Sequence, residues 1–133
     1  MNENELSKII VDAAIEVHRT LGGPGLLESV YRDALAIEIQ SRGPLVDREK
    51  LVPVLYKGQT LSAPLRLDLL VGQKVIVECK AVVMWNPIFE SQTLTYLRLT
   101  GLKLGLVINF GQRLVRHGIR RVVNGLEEEH PAP

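Results

Sequence analysis

Between residues 66 and 81 the chain reads RLDLLVGQKVIVECKA, where one acid, Asp68, stands ten positions before the triplet Glu78, Cys79, Lys80 inside largely apolar, strand-like sequence. Two carboxylates and an ammonium sharing one site can hold a hard divalent cation and position a water, the chemistry that phosphodiester hydrolysis needs. The run Val75, Ile76, Val77 reads as a strand buried on both faces. An unpaired charge there costs several kcal/mol or neutralises itself. Glu78 and Lys80 are two apart, so the strand period points both at one face.

Asp68 joins them in only one hairpin register, because a slip of one residue turns a whole strand over. A three-residue connection, Gly72, Gln73 and Lys74, pairs Val71 with Val75 and sets Asp68 opposite Glu78. Leu65, Leu67, Leu69, Val71, Val75, Val77 and Cys79 then share one face, and Arg66, Asp68, Leu70, Ile76, Glu78 and Lys80 the other. A two-residue turn starting at Gly72 also suits turn chemistry, but it sets Asp68 opposite Val77 and mixes the faces. The apolar pattern favours the first register. Taken alone, these charges are more simply read as ion pairs, Asp68 with Lys80 or Glu78 with Arg66.

Further polar residues repeat at helical spacing. Glu28 and Tyr31, three apart in GLLESVY (residues 25–31), share a helix face, as do Gln92 and Tyr96, four apart. By spacing alone Glu28 is a first-turn acid favoured by the positive helix terminus, and Gln92 with Tyr96 is an ordinary polar stripe. Neither His18 nor His117 has the partner spacing of a zinc site. The single Cys79 excludes an internal disulfide and a cysteine-based zinc site, and its side chain should lie buried on the apolar face.

The elements that position these residues follow from periodicity. Leu6, Ile9, Ile10, Ala13, Ala14, Val17 and Leu21 predict a first helix, stopped by the glycines of residues 22–25. A second helix is expected over residues 26–41, ending before Gly43 and Pro44. A strand over residues 48–56 has its hydrogen bonding interrupted by Pro53 and leads to a turn at Lys57 and Gly58, then to the two motif strands. A third helix over residues 88–99 starts behind Pro87. A buried strand over 104–110 and a last strand over 119–123 complete an α/β or α+β order.

At this point the chain resembles a known group of enzymes. Asp68 followed by Glu78, any residue and Lys80 on consecutive strands is similar to the signature of the PD-(D/E)XK nuclease superfamily. Within it, residues 25–31 resemble the motif of the GxxExxY proteins, and Gln92 with Tyr96 is similar to the QxxxY element of RecB-like nucleases. Arg66-Leu67-Asp68 stands where the superfamily name has Pro and Asp. The resemblance implies a restriction-endonuclease-like α/β core, a central mixed sheet flanked by helices, over residues 1–125. It implies a metal-dependent nuclease, acting on DNA before RNA, with Mg²⁺ or Mn²⁺ held by Asp68, Glu78, the Cys79 carbonyl and Glu28. Lys80 would orient or activate the water, with Gln92 and Tyr96 as catalytic contacts near it and Tyr31 and Arg66 beside the nucleic acid. The alternative is an inactive nuclease-fold module that binds nucleic acid or protein.

Composition agrees with a single domain: 133 residues allow one core. No apolar run spans a membrane, and the start, MNENELSK, is too acidic and polar for a signal peptide, so a cytoplasmic location is expected. The net charge is only +1, but residues 91–126 hold six basic residues and no acid: Arg98, Lys103, Arg113, Arg116, Arg120 and Arg121. Such a segment beside a carboxylate site suits a phosphate backbone. With no separate recognition domain, specificity is expected from a symmetric homodimer or a protein partner. A small-molecule enzyme fits poorly, since no glycine-rich phosphate loop follows a strand. The tail, residues 126–133, acidic and proline-containing, is expected to be disordered.

Overall fold

Asn2 and Glu5 cap the first helix reciprocally: the Asn2 side chain accepts the Glu5 N–H at 2.8 Å, and Glu5 Oε1 accepts the Asn2 N–H at 3.1 Å. The computed structural model describes residues 1–127. From that cap α1 (Glu3–Thr20) buries Leu6, Ile10, Ala13, Ala14 and Val17, the predicted stripe. The second helix, α2 (Glu28–Ser41), begins later than residue 26 because the Leu26 N–H is taken by the Tyr31 hydroxyl at 3.1 Å and Leu27 is extended.

Five strands form the central sheet: β1 (Val46–Val52), β4 (Leu65–Val71), β5 (Val75–Lys80), β6 (Leu104–Asn109) and β7 (Ile119–Val123), in that spatial order. Only β5 and β6 run parallel, joined by α3 (Ile88–Thr100), so the sheet is mixed. Beyond Pro53 the first strand does not continue in the sheet as expected. Its remainder, β2 (Leu55–Tyr56), folds back on β3 (Gln59–Thr60) as a separate hairpin, since proline cannot donate to the ladder.

The helices sandwich the sheet. On one face α1 and α2 pack over Leu69, Val71, Val75, Val77, Cys79, Leu104, Leu106 and Ile108. On the other, α3 brings Leu97 against Leu67, Leu70, Ile76, Val107 and Val122. A fully buried Leu or Ile contributes about 1.5–3 kcal/mol, so both faces hold α/β packing in place. Gly105 lets α3 approach closely, because a Cβ there would meet Thr93 Cγ2 at 2.6 Å.

Leu67 departs from the expected face pattern, grouping with Leu70 instead of Leu69. The alternation slips where Glu49, at φ 51° in the left-handed region, stands opposite Asp68 and the β1–β4 ladder skips that pair. Leu126 still packs against the first core; the expected tail beyond residue 127 lies outside the described residues. Among the described residues no helix is long and apolar enough to cross a membrane.

Candidate active site

The hairpin register is the odd one. Val71 pairs with Val75, Leu70 with Ile76 and Leu69 with Val77, which carries Asp68 opposite Glu78. There the ladder stops, and Asp68 Oδ2 accepts the Cys79 N–H at 2.8 Å in place of a backbone carbonyl. Asp68 and Glu78 therefore face one site. Burial above all, then the Asp68 charge and a hydrogen bond with it, push the Glu78 carboxyl up to about 9. Cys79 itself is buried in the first core, its thiol pushed up by that burial.

Lys80 ends β5 with its ammonium 4.7 Å above the Phe89 ring, a cation–π seat. Phe89 meets Trp85 edge to face at 5.3 Å, and the Trp85 indole donates to Glu90 Oε1 at 3.0 Å. Glu90 is thus engaged away from the carboxylate pair. Behind Lys80 the chain is clamped by the buried Asn109, whose side chain accepts the Val82 N–H at 2.9 Å and donates to the Val82 carbonyl at 3.0 Å. Gly111 makes room for this clamp, since a Cβ there would lie 2.4 Å from the Val82 oxygen.

Glu28 stands in the first turn of α2, its carboxyl raised by burial, lowered by Lys80 and raised by Asp68. One turn on, Arg32 reaches Asp68 Oδ1 at 3.7 Å and Glu49 Oε1 at 3.3 Å, and Arg66 also pairs with Glu49. From α3, the Gln92 amide donates to the Tyr96 hydroxyl at 2.9 Å. Burial raises the Tyr96 hydroxyl, and the Glu78 charge raises it further.

Sequence reasoning passed over Arg32, Glu49 and Phe89. The spacing of Arg32, four residues after Glu28, could have revealed it as a face-mate. Nothing local marks Glu49 or Phe89, which meet the site through strand pairing and helix docking.

The residues suit a divalent cation through one specific observation: Glu78 Oε1 is buried with no hydrogen-bond partner among the described residues. An orphaned acceptor beside a second carboxylate is satisfied by a cation. Among the described residues no three His, Cys, Asp or Glu side chains cluster to hold a metal. Glu28, expected as a ligand, is not gathered with Asp68 and Glu78 into such a triad; Arg32 approaches Asp68 Oδ1 instead.

The expected nucleic-acid contacts scatter. Tyr31 is fully buried, stacked on Phe110 at 4.8 Å, with its hydroxyl donating to the Gly23 carbonyl at 2.7 Å. It presents no surface to a strand and instead pins the loop before α2. Arg66 is exposed beside Glu49. Arg98 and Lys103 lie at the other end of the sheet, by the start of β6, away from Lys80 at the end of parallel β5. Arg120 lies 5.2 Å over Trp85, whereas Arg121 bonds to Ser7 and Asn4 of α1. Arg113 and Arg116 line a cavity with the end of α1.

A family model described as the PD-(D/E)XK nuclease superfamily matches residues 4–122. The chain matches no curated protein and no solved structure.

Proposed function

The chain belongs to the PD-(D/E)XK nuclease superfamily, and we propose that it is a metal-dependent nuclease of the GxxExxY type that hydrolyses phosphodiester bonds in DNA. The observation that carries this reading is the pairing of Asp68 and Glu78 on adjacent strands with Glu78 Oε1 buried and unpartnered. When bound, a divalent cation such as Mg²⁺ or Mn²⁺ supplies positive charge at the scissile phosphate.

The chain's own groups do the rest. Asp68 and Glu78 offer the anionic oxygens, and the Cys79 carbonyl is the third donor. Arg32 and the Cys79 N–H hold the Asp68 carboxylate in orientation. Lys80, seated on Phe89, donates to the attacking water and offsets charge on the phosphate. Tyr96 and Gln92, joined by their hydrogen bond, contact substrate or water, and Glu28 steers Lys80 by its charge. Two copies acting in the cytoplasm as a symmetric dimer would set one such site on each strand of a duplex. The exposed Leu51, Leu55 and Tyr56 along the β1 edge and its hairpin are where we place that pairing; a monomeric mass at micromolar concentration would count against it.

The test is calorimetric titration of Mg²⁺ and Mn²⁺ into wild type and the Asp68→Ala/Glu78→Ala variant, with both proteins assayed on single-stranded, duplex and branched DNA and on RNA. Metal binding and cleavage that disappear together in the variant support the reading. Absence of metal binding by wild type, with nucleic acid present, would overturn it in favour of a non-catalytic scaffold.

A further inference from the structure

A second polar constellation lies apart from the carboxylate pair. His18, Arg19, Gly22 and Gly23 at the end of α1 face residues 113–116 across a cavity of about 540 Å³, with Ile15 and Leu114 as apolar wall. Three arginines line it, and only one is neutralised: Arg19 pairs with Glu16 at 2.7 Å, while Arg113 and Arg116 have no ion-pair partner among the described residues. His18 supplies an independent sign of a ligand. The residue is only 6 % exposed, yet its Nε2 is buried with no hydrogen-bond partner among the described residues. A buried imidazole nitrogen left open costs about 1–3 kcal/mol. The His18 ring and two guanidinium groups without an ion-pair partner among the described residues line one cavity, a set that suits an oxyanion.

The cavity is joined to the carboxylate site along three chain segments. A smaller cavity, about 450 Å³, is lined by Pro24, Gly25 and Leu26, by Ala81, Val82 and Val83, and by Gly111. Residues 22–23 lead through it to Glu28, Lys80 leads directly into it, and Gly111 leads from it to Arg113. Chain continuity thus links the two cavities to Glu28 and Lys80. Four residues separate Gly23 from Glu28, so the two lie at most about 18 Å of extended chain apart. A strand that advances about 3.4 Å per nucleotide covers that in roughly five nucleotides.

We propose that the cavity of His18, Arg113 and Arg116 binds a phosphate of the nucleic-acid strand, a few nucleotides from Glu28. This rests on the reading of the protein as acting on nucleic acid. It assigns to Arg113 and Arg116 a role that Arg98 and Lys103, at the far end of the sheet, do not share. The phosphate is either the strand's terminal one or an internal one, and the chemistry of recognition is the same.

The experiment uses the full chain in a chelator, so that nothing is cut. Binding of a 5′-phosphorylated and a 5′-hydroxyl single-stranded oligonucleotide is measured against salt, for wild type, Arg113→Ala/Arg116→Ala and Arg98→Ala/Lys103→Ala. The first pair is expected to weaken binding about tenfold and to flatten the slope of log K against log salt by about 0.7 for each phosphate no longer neutralised; the second pair leaves both nearly unchanged. A larger loss for the 5′-phosphorylated strand identifies a terminal phosphate, and an equal loss an internal one. Inorganic phosphate titrated into wild type should shift the His18 imidazole resonances and not those of His117, a readout that needs no variant to fold. Unchanged affinity and slope in Arg113→Ala/Arg116→Ala, with His18 unmoved by phosphate, overturns the proposal. Because cleavage is not measured, a protein that cuts nothing with any metal but still loses binding in this variant refutes the nuclease reading and leaves the cavity standing.

Discussion

Asp68 closes the hairpin with its side chain: its Oδ2 takes the Cys79 N–H at 2.8 Å where the β4–β5 ladder has ended. One carboxylate thus serves both as structural acceptor and as neighbour of Glu78. Removing it should have two separable effects. Asp68→Ala leaves the Cys79 N–H buried and unpaired, and should lower stability by about 1–3 kcal/mol. Asp68→Asn keeps an acceptor and should lose much less, while both variants lose cleavage. Chemical denaturation beside a nuclease assay separates the two; equal destabilisation by Asn and Ala would show that the acceptor does not matter.

Glu78 makes the metal-free protein pH-sensitive. Its carboxyl titrates near 9 in the fold against 4.5 when free, so between those values the folded state binds more protons than the unfolded one. Stability should therefore fall as pH rises from about 5 to 9, by on the order of a few kcal/mol. Glu78→Gln should flatten the curve. Melting temperatures in chelator across that range decide it, and a wild-type curve as flat as that of the variant would contradict the burial of this charge.

Cation binding should expel the Glu78 proton. At pH 7 about one proton is expected to be released per ion bound, and none in Glu78→Gln. Calorimetry in two buffers of different ionisation enthalpy reads the number directly. Identical apparent enthalpies for wild type in the two buffers would rule the linkage out.

Lys80→Ala should slow cleavage by about 10²–10⁴-fold with little change in metal affinity. Phe89→Leu, which removes only the cation–π seat worth about 0.5–2 kcal/mol, should cost roughly thirtyfold or less. A Phe89 variant as slow as the Lys80 variant would mean that the ring does more than seat the ammonium.

Tyr31→Phe tests a residue whose place differs from its expected one. The hydroxyl holds Gly23 and Leu26 together, so its loss should lower stability by about 1–3 kcal/mol and leave nucleic-acid affinity unchanged. A drop in affinity at full stability would restore Tyr31 as a surface contact.

Periodicity and residue type alone determined a great deal about this protein, because both act over a few residues. The α1 stripe from Leu6 to Val17, the buried strands at Val75 and Leu104 and the pairing of Val71 with Val75 all follow from local pattern. Register then brought Asp68 opposite Glu78, since the apolar faces tolerate only one alignment. What the tertiary structure decided was convergence. The left-handed turn of Glu49, the reach of Arg32 from α2 and the ring of Phe89 under Lys80 depend on how α2, β1 and α3 dock. A motif contact, Tyr31, went inward because the loop before α2 had backbone groups to satisfy. The six basic residues that adjoin in sequence were parted because β6 carries the chain across the whole sheet, leaving Arg98 and Lys103 at one end and Arg113 and Arg116 at the other. Sequence distance says which side chains alternate; only packing says which of them meet.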